Sequence, residues 1–196
     1  MLSIFSLYWF LYDVPAAWPR AAPAVLALLI LGLESYVRPE GGLGASFAII
    51  LAVALACQDG NSIARRAYYG RWFMAGLSWP MLGLLSIIVV LSRWGAPLGV
   101  GLVLGIELFT DHVATWSLLP ALLAATAMAT IFQALFAGRS TAAAWGLLVA
   151  IPLLVPLILF LSANKLELLW GQALFWLALS PWVTGLLWHT VVREAL

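Results

Sequence analysis

The stretch LSWPMLGLLSIIVVLSRWGAPLGVGLVLG, residues 77–105, decides the fold because Arg93 is its only charged side chain. A helix needs about 20 apolar residues to cross the hydrocarbon core of a bilayer, and this run is longer than that. In lipid the backbone amides must bond within their own segment, which a helix allows and an isolated strand does not. The stretch therefore predicts a membrane-spanning helix.

The rest of the chain has the same apolar character. Of its 196 residues, 65% are hydrophobic and 9% are charged, whereas about 25% of a typical soluble domain is charged. Runs of low charge predict six crossings, at 21–37, 41–57, 77–105, 116–138, 142–163 and 168–190. The expected fold class is all-α: a polytopic membrane protein with about six transmembrane helices, forming a single domain over residues 1–196.

Aromatic side chains lie where the interface of a bilayer would need them. Residues 1–20 are rich in Phe, Tyr and Trp and predict an N-terminal interfacial helix. Tryptophans near the other predicted helix ends include Trp79, Trp116, Trp170 and Trp188. Because Trp and Tyr are enriched at the level of the headgroups, we expect these residues to form the aromatic belts.

Two of the predicted crossings carry signals about helix shape and packing. Gly95 and Pro97 interrupt the third crossing, so residues 77–109 form either one long kinked helix or two segments with 96–109 as a re-entrant piece. Pro97 favours a kink in either case. The segment AATAMATIFQALFAG (124–138) contains small residues that let helices approach closely.

The basic residues predict the orientation of the chain. With a cytoplasmic N-terminus, six crossings place most of them inside, namely Arg20, Arg65, Arg66, Arg71, Arg139 and Arg193. Only Arg38 and Lys165 fall outside, and Arg93 lies within the membrane. This bias is the one that the positive-inside rule describes, so both termini are expected in the cytoplasm.

The polar segment CQDGNSIARRAYYGRW (57–72) gathers three of the nine Lys and Arg residues within seven positions. In the predicted topology, residues 58–76 form the main cytoplasmic loop. One interpretation is that this loop binds a cytoplasmic partner. The other is that its arginines fix the topology and bind anionic lipid headgroups. The two interpretations do not exclude each other.

Two charges in or near the apolar segments are candidate functional residues. An arginine at membrane depth usually faces a partner or a wet cavity, so Arg93, with Trp94 and Pro97 beside it, is a candidate for a transport path. It would contact an anionic substrate group, or Glu34 across the bundle. The alternative is that Arg93 snorkels at a kink and that Glu34 is an interfacial carboxylate.

The sequence carries no motif for chemistry of its own. It has no P-loop and no H-E-x-x-H, G-x-S-x-G or G-x-G-x-x-G motif in a suitable context. His112 and His189 are expected on opposite sides of the membrane, about 30 Å apart, so they cannot share a metal or haem. With one cysteine and a net charge of +1, we expect no catalytic residue, no bound metal or cofactor and no nucleic-acid partner.

Three segments in order resemble a known permease family. LSWPMLGLLSIIVVLSRWGAPLG (77–99) is similar to a proline-marked stretch that leads to a basic residue, Trp, Gly and Pro. ALFAGRSTAAAWGLLVAIPLLVPLILF (134–160) resembles the small-residue helix, basic turn and proline-containing span that follow, and LALSPWVTGLLW (177–188) resembles the closing segment. The positions that carry the first likeness are Ser78, Pro80, Arg93, Trp94, Gly95 and Pro97. The family is cytochrome c maturation protein B, the haem exporter permeases, within the ABC-2 type permeases.

The resemblance implies a permease subunit of an ABC transporter in the inner membrane of a bacterium. It implies a dimer of permeases, other membrane subunits and a separate cytoplasmic ATPase that binds ATP and Mg²⁺, with haem as a candidate cargo. Residues 58–76 would be the coupling loop that docks on the ATPase. Its candidate docking residues are Asp59, Arg65, Arg66, Gly70 and Arg71.

The coupling loop also departs from the family, in which this loop is acidic. Here arginines surround Gly70, and Asp59 is the sole acid in residues 57–72, so we expect an ATPase or a docking surface that differs from the usual one. Two other functions stay open. One is a non-transporting membrane anchor subunit of a respiratory or assembly complex, and the other is an ABC-2 permease for lipid, polysaccharide or peptide.

Overall fold

The computed structural model describes residues 17–37, 43–54, 56, 78–109, 115–136 and 142–194. In these ranges the chain forms helices, and no strand occurs. The helices are α1 (Ala17–Val37), α2 (Gly44–Ala54), α3 (Trp79–Phe109), α4 (Thr115–Leu135), α5 (Ala142–Ser162) and α6 (Leu166–Glu194). The all-α prediction is therefore confirmed for this part of the chain. The predicted coupling loop and residues 1–16 of the interfacial segment lie outside the described residues.

The third crossing is one continuous helix with a π-turn at its middle. Residues Leu91–Gly95 form this turn, and the amide of Ala96 donates to the carbonyl of Leu91, five residues back. Pro97 follows directly. A proline ring inside a regular α-helix clashes with the carbonyl four residues earlier, and a π-turn changes the register at that point. The helix thus passes Pro97 without a break, and α3 is not divided into two segments.

Glycines on the first half of α3 and on α6 bring the two helices into backbone contact. A Cβ atom added to Gly83 would overlap the carbonyl oxygen of Pro181, and one added to Gly185 would overlap the carbonyl oxygen of Trp79. Trp79 precedes Gly83 in α3, whereas their partners occur in the reverse order in α6, so α6 runs antiparallel to α3. Without a side chain at these positions, the helices can approach as closely as their backbones allow.

Glycines also bring the second half of α3 close to α1 and α4. A Cβ on Gly101 would lie 2.5 Å from the carbonyl oxygen of Ala24. Gly32 of α1 faces Phe109 near the end of α3, so these helices run parallel. Gly95 faces Thr126 and Gly99 faces Leu122, which makes α4 antiparallel to α3. Helices α1 and α3 thus run in one direction, and α4 and α6 run in the opposite direction.

Helix α4 lies at the centre of the bundle. Its alanines are buried on several sides, and 78% of its most apolar 18-residue window is buried. The predicted small-residue positions Ala124, Ala125 and Ala129 are all part of the core. Small side chains around the helix let α3, α5 and α6 pack against it, as the sequence predicted for this segment.

The outer surface of the described helices is apolar. Leu148 of α5 and Leu174 of α6 are 64% and 63% exposed, and the most apolar window of α3 is only 39% buried. Two helices, Trp79–Phe109 and Trp116–Leu135, are long and apolar enough to cross a membrane, and three shorter ones are apolar. Trp79, Trp116 and Trp170 are exposed, as expected for a belt. The prediction for Trp188 is wrong, because its side chain is buried at 1% exposure.

Replacing Gly83 or Gly185 with alanine is expected to destabilise the protein by about 1–3 kcal/mol, because the added methyl group overpacks the contact between α3 and α6. The midpoint of thermal unfolding in detergent, followed by tryptophan fluorescence, measures this loss. Gly171→Ala is the matched control, since its Cβ would meet no atom within 4 Å. Equal midpoints for Gly83→Ala and Gly171→Ala would contradict the backbone contact.

Candidate functional site

Glu34 fixes the start of α2. Its carboxylate accepts hydrogen bonds from the backbone N–H of Leu43 at 2.7 Å and from that of Gly44 at 2.8 Å. The first amides of a helix have no partner within the helix, and a negative charge there also interacts favourably with the helix dipole. Glu34 is therefore a capping residue: it lies on α1 and caps the start of α2.

Arg93 lies near the middle of the 31-residue helix α3, on the π-turn, and its side chain is half-buried with Nη1 inside the protein. Glu34 lies beyond Gly32, which faces Phe109. Phe109 is sixteen residues from Arg93, or about 24 Å along a helix with a rise of 1.5 Å per residue. The structure thus does not bring together the Arg93 and Glu34 pair that the sequence suggested.

A small cavity lies beside the π-turn, between α2, α3 and α4. It measures about 20 Å³ and is lined by residues that include Trp94, Gly95 and Leu98 of α3 and Thr126 of α4. Such a volume holds about one water molecule, whereas pockets for larger organic ligands measure about 300–1,000 Å³. This cavity is far too small for haem. Trp94 packs against the hydrophobic core at this position.

A buried hydrogen-bonded cluster joins α4 to α6. The hydroxyl groups of Thr130 and Ser180 lie 2.7 Å apart, and both lie within hydrogen-bond distance of the carbonyl oxygen of Ala127, at 2.7 and 2.9 Å. The hydroxyl of Thr184 is 3.4 Å from that of Ser180. All three side chains are buried. This Thr130–Ser180–Thr184 cluster holds the two helices in register, and sequence reasoning did not single out its members.

Gln133 of α4 holds the far end of α2. Its Nε2 donates to the carbonyl oxygen of Ala56 at 3.0 Å, and the side chain is buried. Ala56 directly precedes the polar segment at 57–72, so Gln133 fixes the position of the residue from which that segment continues. Sequence reasoning missed this residue as well. Its signal was a single glutamine within the apolar run IFQALF (131–136).

Other candidate residues fall outside these contacts. The predicted docking residues Asp59, Arg65, Arg66, Gly70 and Arg71 lie outside the described residues. His189 packs against Trp79, with ring centroids 6.1 Å apart and planes at 48°. Within the described part of the chain, no three His, Cys, Asp or Glu side chains are grouped to hold a metal ion.

Comparisons with protein-family models, with curated proteins and with solved structures find no match to this chain.

Replacing Glu34 with alanine is expected to destabilise the protein by about 1 kcal/mol, the usual effect of removing a capping side chain. Glu34→Gln should lie between wild type and alanine, because it keeps a carbonyl oxygen but loses the charge. The thermal midpoint in detergent measures both. Glu107→Ala removes an exposed carboxylate near the end of α3 and serves as control. A Glu34→Ala midpoint no lower than that control would argue against capping.

Ser180→Ala is expected to cost about 0.6 kcal/mol and at most about 1.7 kcal/mol, the range measured for hydrogen bonds between helices in membrane proteins. Chemical or thermal unfolding in detergent reports the difference. Ser162→Ala is the comparison, because Ser162 is exposed and bonds only to the carbonyl of Leu159 in its own helix. If both variants unfold together with wild type, the cluster does not hold α4 to α6.

Proposed function

We propose that this chain is an integral membrane protein of six transmembrane helices and that it serves as the permease subunit of an ABC transporter. The observation that carries the membrane part is the apolar surface of the described helices. Large side chains such as Leu148, Leu159 and Phe175 are more than half exposed. Soluble monomers rarely expose contiguous apolar patches of more than a few hundred Å², and lipid is the solvent that such a surface suits.

The directions of the helices support the proposed orientation. One side of the bundle is the side where α3 ends. The charged residues at this side are Glu34, Glu107, Lys165 and Glu167. The opposite ends include the start of α1 with Arg20 and the end of α6 with Arg193. The polar segment with Arg65, Arg66 and Arg71 connects α2 to α3 at that side. By the positive-inside rule this side faces the cytoplasm, which in the proposal is that of a bacterium bounded by its inner membrane.

The contacts around the polar segment support a coupling role. Its first end follows Ala56, which Gln133 holds, and its second end leads into the part of α3 that packs on α6 through Gly83. A force applied to residues 58–76 would therefore reach α2, α3, α4 and α6. In the proposal, Arg65, Arg66 and Arg71 pair with acidic side chains on a cytoplasmic ATPase. That partner binds ATP and Mg²⁺, and its closure tilts the helices as rigid bodies.

The cargo and the assembly rest on the family resemblance alone. It implies a dimer of permease subunits, further membrane subunits and haem handling for cytochrome c maturation. The cavity beside Trp94 is too small for haem, so this cavity is not the haem path in the proposal. In the other version of the proposal, ATP-driven motion releases a haem-loaded chaperone and the permease moves no haem.

One observation favours a second candidate function. The described helices expose large apolar side chains, which other integral subunits would cover as well as lipid does. A non-transporting membrane anchor of a respiratory or assembly complex would use the apolar surface to contact other integral subunits. It would have no need of an ATPase at residues 58–76, and this difference separates the two functions.

A pull-down in mild detergent tests the ATPase partner. The wild-type chain is expected to retain a cytoplasmic ATPase, and changing Arg65, Arg66 and Arg71 together to glutamate should remove it through charge repulsion. Changing the same residues to lysine is the matched control, because it keeps the charges that fix topology and should retain most of the ATPase.

Labelling of Cys57 with a membrane-impermeant maleimide accompanies this pull-down. It shows whether the glutamate variant keeps the segment on the cytoplasmic side. If wild type captures integral membrane proteins and no ATPase, the anchor function replaces the permease function.

A further inference from the structure

The two halves of α3 belong to different groups of helices. The first half, Trp79–Val90, packs against α6 through Gly83 and through the contact between Trp79 and Gly185. The second half, Ala96–Phe109, packs against α1 through Gly101 and Gly105. Among the described residues, α1 and α6 thus hold opposite halves of one helix. Any relative movement of α1 and α6 has to be absorbed by the part of α3 between these contacts.

That part of α3 is the π-turn, where the hydrogen bonding departs from the regular pattern of an α-helix. The amide of Ala96 bonds five residues back rather than four, and Pro97 has no amide hydrogen to donate. Sharp bends in helices occur almost only at prolines, Gly/Ser pairs, π-bulges or inserted groups. Here a proline and a π-turn coincide, directly between the two packed halves.

The surroundings of the π-turn also leave space for movement. Gly95 lies against α4 without a side chain, and an added Cβ would come within 2.8 Å of Thr126 Oγ1. The cavity of about 20 Å³ lies on the same side, lined by Val90, Trp94 and Leu98 of α3. A close-packed interior has few such voids. The π-turn therefore has no side chain between Gly95 and α4, and a void of about the size of one water molecule lies beside it.

We propose that the π-turn Leu91–Gly95, together with Pro97, is a hinge at which the α1 side of the bundle moves relative to the α6 side. Arg93 lies on this hinge, so bending changes the exposure of a charge near the middle of α3. The hinge is a property of this chain alone. Only its use, the transfer of motion from residues 58–76 to the far end of α3, rests on the proposed transporter function.

Pulsed electron paramagnetic resonance tests the hinge in lipid nanodiscs of phosphatidylethanolamine and phosphatidylglycerol. In a Cys57→Ser background, spin labels at Leu33 of α1 and Leu186 of α6 report across the hinge. Labels at Ile88 of α3 and Leu186 report within the α6 side. All three positions are exposed. The expected result is a distance distribution across the hinge at least twice as wide as the one within the α6 side.

Two proline variants locate the movement. Pro97→Ala restores an amide donor at the hinge and should narrow the distribution across it to the width of the pair within the α6 side. Pro152→Ala makes the same change in α5, away from the hinge, and should leave the width unchanged. A wide distribution that Pro97→Ala does not narrow would place the movement elsewhere and overturn the proposal.

If the distance distributions of the pairs Leu33–Leu186 and Ile88–Leu186 are equally wide in the otherwise wild-type chain, the hinge proposal is overturned. This outcome needs no proline variant, so the test does not depend on whether Pro97→Ala folds. No ATPase is present in the nanodiscs. If the chain has a hinge but captures no ATPase in the pull-down, the transporter proposal fails and the hinge stands. If it captures an ATPase but shows no hinge, the hinge proposal fails and the transporter function stands.

Discussion

Close approach of helix backbones at glycine and alanine positions is the constraint on which the rest of the bundle depends. In the proposed membrane setting, helices surrounded by lipid gain little from burying apolar side chains against each other, because the lipid is equally apolar. Their association then rests on packing at short range and on interhelical hydrogen bonds. Gly83 and Gly185 allow this between α3 and α6, and Gly101 allows it between α3 and α1. The alanines of α4 do the same at the centre.

The few polar side chains inside the bundle act where backbone groups or register need them. Glu34 satisfies amides at the start of α2, Gln133 bonds a carbonyl at its end, and Ser180 joins α4 to α6. In the proposed membrane setting, which lacks water, an unsatisfied amide or carbonyl costs several kcal/mol. These side chains therefore stabilise the fold although there are few of them. Glu34 and Gln133 hold the two ends of the part of α2 that the structure describes.

The helices could be predicted from the sequence because length and lack of charge are local properties. The segments predicted to cross a membrane coincide with helices α1 to α6 to within a few residues at most described ends, while the crossing itself belongs to the proposal. The small residues of α4 were also recognised from the sequence. The packing of Trp188 could not be predicted, because proximity to a helix end does not reveal which face of α6 meets another helix. Its indole lies inside the bundle rather than at a bilayer interface.

The contacts of the candidate site were beyond sequence reasoning for the same reason. Glu34 meets Leu43 only because α2 turns back along α1, and Ser180 meets Thr130 across fifty residues of chain. A single sequence shows which side chains are polar without showing which of them face each other. Arg93 and Glu34 illustrate this, since both stood out as charges in apolar surroundings and a contact between them was one of the interpretations that the sequence allowed. The structure gives them separate positions.

The separation of these two residues changes how Arg93 should be understood. A salt bridge to Glu34 would have tied α1 to the middle of α3 and opposed bending there. Instead, the arginine lies on a π-turn between one half of α3 that is held by α6 and another that is held by α1. A charge at membrane depth is costly in a purely apolar setting. Its cost depends on how much water or polar surface it reaches, and bending at the proposed hinge would alter that reach. With such a hinge, the solvation of Arg93 would depend on the shape of α3, and an anionic group that binds Arg93 would favour one shape over the other.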